Sequence, residues 1–149
     1  MARKPKEYTN KWKFQGTDLE DTPENSIGFV YILTDLITGK RYIGKKSFYS
    51  VRKLKPTDKR RTRVASDWKH YYSSSPTIKQ LIKEHGNERF SREILAICTL
   101  DRDMNYLEVK YQFQFNVLEN PDLWYNENIN GNWYPHLYVD INTRTQFSN

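Results

Sequence analysis

Glu108 is the residue that packing alone explains least. It lies in a run from Asp101 to about Leu118 whose apolar positions Met104, Leu107, Tyr111, Phe115 and Leu118 fall in one stripe at about 100° per residue. Glu108 falls inside that stripe. A carboxylate on the inward face of a helix is costly unless it is paired, protonated or bound to a cation. Two readings follow: a buried ion pair with a basic residue upstream, or a metal ligand or catalytic acid. A second group is Tyr31 and Tyr42, two phenols in neighbouring short strands, where core packing and a shared site are both open. A third is a block of cations. Lys40 to Lys69 holds twelve of the 24 Lys and Arg residues against two acids, Asp58 and Asp67.

The elements that must position these groups are readable. Gly28 to Gly44, GFVYILTDLITGKRYIG, reads as a hairpin. Phe29 to Thr34 is rich in aromatic and β-branched residues, Asp35 to Gly39 has turn chemistry, and Lys40 to Gly44 is a second strand. A symmetric turn at Leu36–Gly39 places Tyr42 opposite Leu33, with Tyr31 and Tyr42 on one face. Lys45 to Lys53 reads as a short helix or turn carrying Arg52, and Lys55 to Ser66 as an inserted basic loop. Ser75 and Pro76 begin a helix that runs to about His85 and stops at Gly86, with Ile78, Leu81 and Ile82 on one face. Phe90 to Cys98 reads as a third strand, before the helix that carries Glu108.

The expected architecture is one α/β (α+β) domain over residues 28–131: a small three-stranded, mainly antiparallel sheet flanked by helices. Residues 1–27 read as an arm with a basic start and an acidic end, pinned by Trp12 and Phe14. Residues 132–149 read as a tail, with His136 a loop residue.

The cation block carries about +10 and the remainder about −4, within a net charge of +6. That polarity points to a polyanion, most simply nucleic acid. The single cysteine, Cys98, excludes an internal disulfide framework and a finger built on paired cysteines, and fits a reducing compartment. No apolar run has membrane-spanning length, and the start MARKPKEY is no secretory signal. The expectation is a cytoplasmic protein with no membrane partner.

In order and spacing, the hairpin tyrosines, the arginine and the inward glutamate resemble the GIY-YIG nuclease family. Phe29-Val30-Tyr31 matches the first tripeptide and Tyr42-Ile43-Gly44 the second. Arg52 matches the family arginine, Glu108 in LEVKYQF its glutamate, and Asn126 after Tyr125 its late asparagine. The chain is most similar to the small free-standing members of homing type encoded by bacteriophages. It departs from the pattern at Phe29, where the family favours glycine; the glycine stands one earlier, at Gly28.

The resemblance implies a metal-dependent endonuclease acting on double-stranded DNA. Glu108 would ligate one Mg²⁺ (or Mn²⁺), and Arg52 would neutralise phosphate. Tyr31 would orient or deprotonate the water, given nearby lysines or a metal to lower its pKa. Tyr42 would position water or phosphate, and Gly44 and Asn126 would support the site. Lys40, Lys45, Lys46, Lys53, Lys59, Arg60, Arg61, Arg63, Lys69 and His70 are the expected DNA contacts. A separate specificity partner is compatible with the same sequence. The alternatives are a nucleic-acid-binding protein that keeps the fold without cutting, and an interaction protein that docks through its aromatic C-terminal stretch.

Overall fold

The structure, a computed structural model, describes residues 10–135. The basic start at Arg3, Lys4 and Lys6 and residues 136–149 of the expected tail, His136 included, lie outside the described residues; Trp133, at the start of that tail, bridges Ile129 and packs 5.4 Å from the Phe113 ring. The elements in order are β1 (Lys13–Phe14), β2 (Thr17–Asp18), β3 (Gly28–Asp35), β4 (Arg41–Ser47), β5 (Tyr49–Arg52), β6 (Thr62–Ala65), α1 (Pro76–His85), a 3-10 turn at Asn87–Arg89, β7 (Phe90–Cys98) and α2 (Asp101–Gln114).

The main sheet has five strands in the order β2-β1-β7-β3-β4, two more than the sequence suggests. β3 is antiparallel to both β4 and β7, which makes the expected three-stranded centre. β1 adds to β7 in parallel and turns back into β2, so the sheet is mixed. These two strands are two residues each, and β1 joins the sheet through residues about eighty positions away in β7, which no local pattern reveals. Trp12, just before β1, is buried. Its indole N–H donates to the Trp68 carbonyl at 2.7 Å. Arg92 of β7 is buried beside it and donates to the carbonyls of Asn10, Lys69 and Tyr71 at 2.7, 2.9 and 3.0 Å. Residues 10–18 of the expected arm are thus part of the sheet and its core.

Side chains alternate along β3, and both faces are covered. Phe29, Tyr31 and Leu33 join Trp12, Phe48, Trp68 and Ile78 under α1 and the 66–73 segment. Val30 and Ile32 join Ile43, Met104, Leu118 and Trp124 under α2 and the 117–129 segment. Phe29, which replaces the expected glycine, packs 4.9 Å from the Trp12 ring and 5.0 Å from that of Phe48, as part of this aromatic core. Gly28 is needed for a different reason: a Cβ there would stand 2.5 Å from Met104 Sδ on α2.

Three local expectations change. The segment after Gly44 is strand, since β4 runs on to Ser47 and β5 follows. The inserted loop contains β6, which pairs with β5 as a separate two-stranded sheet. α2 ends at Gln114 because Asn116 takes a left-handed backbone, φ 53°. α1 and β7 have the expected bounds, and Ser75 Oγ caps α1 by accepting from the Ile78 N–H at 3.4 Å. Among the described residues no helix is long and apolar enough to cross a membrane.

Candidate active site beside the edge of the sheet

β4 is the outer strand of the five, and such an edge leaves backbone N–H and C=O groups unpaired. Residues 123–126 close it. The Arg41 N–H donates to the Leu123 carbonyl at 3.0 Å, and the Tyr125 N–H donates to the Arg41 carbonyl at 2.8 Å. One step along, a side chain continues the ladder. The Ile43 N–H donates to Asn126 Oδ1 at 3.0 Å, and Asn126 Nδ2 donates to the Ile43 carbonyl at 2.8 Å. Gln112 Nε2 of α2 donates to the same carbonyl at 3.1 Å. The amide of Asn126 does what a neighbouring strand's peptide group would do, which gives it a supporting function that a turn residue lacks.

Beside this seam opens a polar cleft of about 320 Å³. Tyr42, Ser74, Glu108, Gln112, Asn126 and Asn128 are among its lining residues. Tyr42 pairs with Leu33 and lies on the α1 side of the sheet, in the register expected. Its hydroxyl is 3.4 Å from Ser74 Oγ. Burial pushes its pKa up, the Ser74 and Ser73 hydroxyls pull it down, and the charges of Tyr71 and Glu108 add to the rise.

Glu108 comes from the other side, on α2. It is half-buried, and burial raises its pKa while the Lys45 ammonium lowers it. It forms no ion pair among the described residues. The buried ion pair that the sequence left open is therefore not the arrangement found. Gln112, one helical turn on, is buried with its Oε1 unpartnered, because its amide nitrogen is committed to Ile43. The donors in the cleft are carboxylate, hydroxyl and amide oxygens, and among the described residues no cluster of three His, Cys, Asp or Glu could hold a metal. Two carboxylates line this oxygen-rich, open space, half-buried Glu108 and exposed Glu127; such a set fits a hard divalent cation that keeps most of its waters, and it does not fit zinc.

Tyr31 stands behind this cleft. It is fully buried, and its hydroxyl makes no well-formed hydrogen bond although those of Tyr71 and Ser73 act on it. Burial first, then neighbouring phenols, hold its pKa well above the ordinary tyrosine value. The sequence reading required the opposite shift, and the reason for the difference is that the ring points into the core instead of toward lysines. Its position is nonetheless specific. A Cβ at Gly44 would lie 2.5 Å from the Tyr31 hydroxyl and 2.9 Å from the Tyr42 ring, so only glycine lets the two phenols close over β4. The pairing of β3 with β7 also slips between Val30 and Tyr31, a bulge that turns Tyr31 locally.

The other expected residues divide into two sets. Lys40 lies 4.6 Å over the Tyr125 ring, and Lys45 donates to Asn105 Oδ1, both near the seam. Lys46 is paired with Asp67 at 2.7 Å and Lys69 with Asp21 at 3.8 Å, so their charge is already engaged. His70 is exposed beside Lys69. Arg52, Lys53, Lys59, Arg60, Arg61 and Arg63 are exposed on or next to the β5–β6 sheet, and none of them lines the cleft. Gln112, Ser74 and Asn128 were missed. Gln112 had one signal, its place four residues after Glu108 on the same helix face; Ser74 had none.

Beneath the seam, Asp35 at the end of β3 is fully buried. Arg89 Nε donates to its two oxygens at 2.9 and 3.0 Å, Arg89 Nη2 is ion-paired with Oδ2 at 2.9 Å, and the Tyr125 hydroxyl donates to Oδ2 at 2.5 Å. Burial pushes the Asp35 carboxyl up, but the hydrogen bonds from Arg89, Tyr125 and the backbone of Ile37 and Thr38 outweigh it and hold it well below the usual range. This knot fixes Tyr125, and with it Asn126, against β4.

A family model described as "endonuclease segE, GIY-YIG domain" matches residues 12–129 of the chain. None of the curated proteins and none of the solved structures compared with it matches.

Proposed function

The chain belongs to the GIY-YIG family, whose domain it carries over residues 12–129, and on that premise we propose that it is a metal-dependent endonuclease that hydrolyses DNA phosphodiester bonds in the polar cleft beside the edge of β4. The observation that carries this reading is the unpaired Glu108, half-buried in a polar cleft that it shares with Tyr42. Binding a phosphate backbone needs cations and gives no reason to place a carboxylate there. Hydrolysis does.

Glu108 would hold one Mg²⁺ through its carboxylate, with waters filling most of the ion's other positions. When bound, that ion supplies charge at the phosphate and a more acidic water. Tyr42 has its pKa raised by burial, so it stays a neutral phenol near pH 7. Its part is to orient the attacking water or a phosphate oxygen by hydrogen bond. Tyr31 holds Tyr42 from behind, across Gly44. The Lys45 ammonium works against the burial that raises the Glu108 pKa, and Lys40 faces the rim; Arg52 reaches a phosphate only from the β5–β6 side, on DNA that spans both. Asn126 keeps the edge shut against β4 so that Tyr42 and Glu108 face each other at fixed distance.

Nicking of supercoiled plasmid tests this reading, with Mg²⁺ and with EDTA. Wild-type protein is expected to nick only with the metal, and Glu108→Ala not at all. Intact plasmid with wild-type protein at low salt would overturn it. The same result would favour the reading in which the protein binds DNA without cutting, for which the sealed Tyr31 hydroxyl speaks.

A further inference from the structure

Among the described residues β5 and β6 pair only with each other. Their root is held firmly. Phe48 is buried 5.1 Å from the Trp68 ring, the Ser66 N–H donates to the Phe48 carbonyl at 2.8 Å, and Ser66 Oγ donates to the Ser47 carbonyl at 2.7 Å. The Arg63 guanidinium stacks 4.1 Å over the Tyr49 ring on one face. Beyond the root the strands and their connection are exposed, including Val51 at 58% and Leu54 at 60%. An isolated two-stranded sheet is marginal in water, so a stretch kept in this form calls for a second surface.

Its charge says which surface. Seven basic side chains stand between Arg52 and Arg63, against one acid. None of the seven forms an ion pair among the described residues, unlike Lys46 and Lys69 on the body of the protein. The one acid, Asp58, is used in the turn, where Oδ2 accepts from the Lys55 N–H at 3.0 Å. Seven cations that find no ion-pair partner among the described residues, on so small a sheet, repel one another until a polyanion lies across them.

We propose that the β5–β6 ribbon enters the major groove of the duplex on which the cleft acts, with Lys55, Lys59, Arg60 and Arg61 gripping the phosphates of the groove walls. This rests on the nuclease reading above. Two strands lie about 4.8 Å apart before their side chains are added. The major groove, about 12 Å wide, admits such a ribbon, and the minor groove, about 6 Å wide, does not. Ser50 and Thr62, both exposed on the face opposite Arg63, would then meet base edges.

Methylation interference on an end-labelled duplex tests the placement. The full chain carrying Glu108→Gln binds the DNA without cutting it, and dimethyl sulfate marks guanine N7 in the major groove and adenine N3 in the minor. Interference is expected at N7 within the footprint and is lost when Arg60→Ala and Arg61→Ala are added. The slope of log K against log salt is expected to become shallower by about 2 in that double variant, with binding at physiological ionic strength at least roughly tenfold weaker. Interference at N3 alone, or an unchanged slope, would overturn the proposal. Protein that shows N7 interference yet never nicks with Glu108 intact would leave the ribbon standing and remove the nuclease reading. Nicking with an unchanged slope would do the reverse.

Discussion

Tyr42 and Glu108 reach one cleft from opposite faces of the sheet. Tyr42 extends from β4 on the α1 side, and Glu108 from α2, which packs on the other side. They meet because β4 is the last strand, so both can pass its edge. Everything that shuts or shifts that edge acts on both.

Glu108 is expected to set the acid limb of the cleavage rate. Its active form is the carboxylate, and burial raises its pKa above the ordinary glutamate value. Activity should therefore fall, as pH drops, at a higher pH than a free glutamate would give. Lys45 lowers that pKa, so Lys45→Met should move the limb further up. Single-turnover rates across pH measure both shifts; an unmoved limb in Lys45→Met would remove Lys45 from this function. Glu108→Ala should lower the rate by about 10²-fold or more while duplex binding persists.

Asn126→Ala should weaken the protein by about 1–3 kcal/mol, since it leaves the Ile43 N–H without its partner at a buried edge. Urea unfolding followed by tryptophan fluorescence gives the number. Asn126→Asp keeps the acceptor and loses the donor, and should fall between wild type and alanine.

Gly44→Ala should cost about 1–3 kcal/mol by crowding Tyr31 and Tyr42. Its larger effect should be on cleavage, because the Tyr42 ring must move away from Glu108. A gel-shift assay beside the nicking assay separates the two: binding within about threefold of wild type is expected, with a much greater loss of rate. Equal losses in both would show that the close approach is only a packing matter.

Asp35 makes stability depend on acid. Its folded pKa lies below its unfolded value near 3.9. Its contribution is complete above that value and is lost as pH falls through the folded pKa. The melting temperature of wild type should fall on acidification below about pH 4. Asp35→Asn should melt lower at neutral pH and show less of that dependence. Parallel acid curves for the two proteins would sink the assignment.

Much of this site was legible because its signals are local. Ser75-Pro76 and Gly86 bound a helix by cap and φ preference, and the turn after Asp35 sets a register that makes Tyr42 face Leu33. Glu108 was conspicuous because a charge interrupted an apolar stripe. Other features depend on partners far away in sequence. β1 and β2 are too short to carry a period and exist through Glu93 and Ile94. β5 and β6 have polar, charged strands that bury almost nothing, so hydrophobic pattern could not reveal them. The direction of Tyr31 depends on how the core fills around Trp12, and the burial of Gln112 depends on the carbonyl of Ile43, sixty-nine residues earlier.

The closed edge of β4 also bears on the order in which the protein is made. Tyr42 leaves the ribosome some eighty residues before Asn126, and Glu108 well before it. Until residues 123–126 emerge and lie along β4, the nascent chain has the two reactive groups on an unfinished strand with free peptide groups, prone to pair with other chains. The piece that seats the cleft arrives after both of these side chains, and a chain terminated before residue 123 would keep that edge of β4 exposed and prone to aggregate.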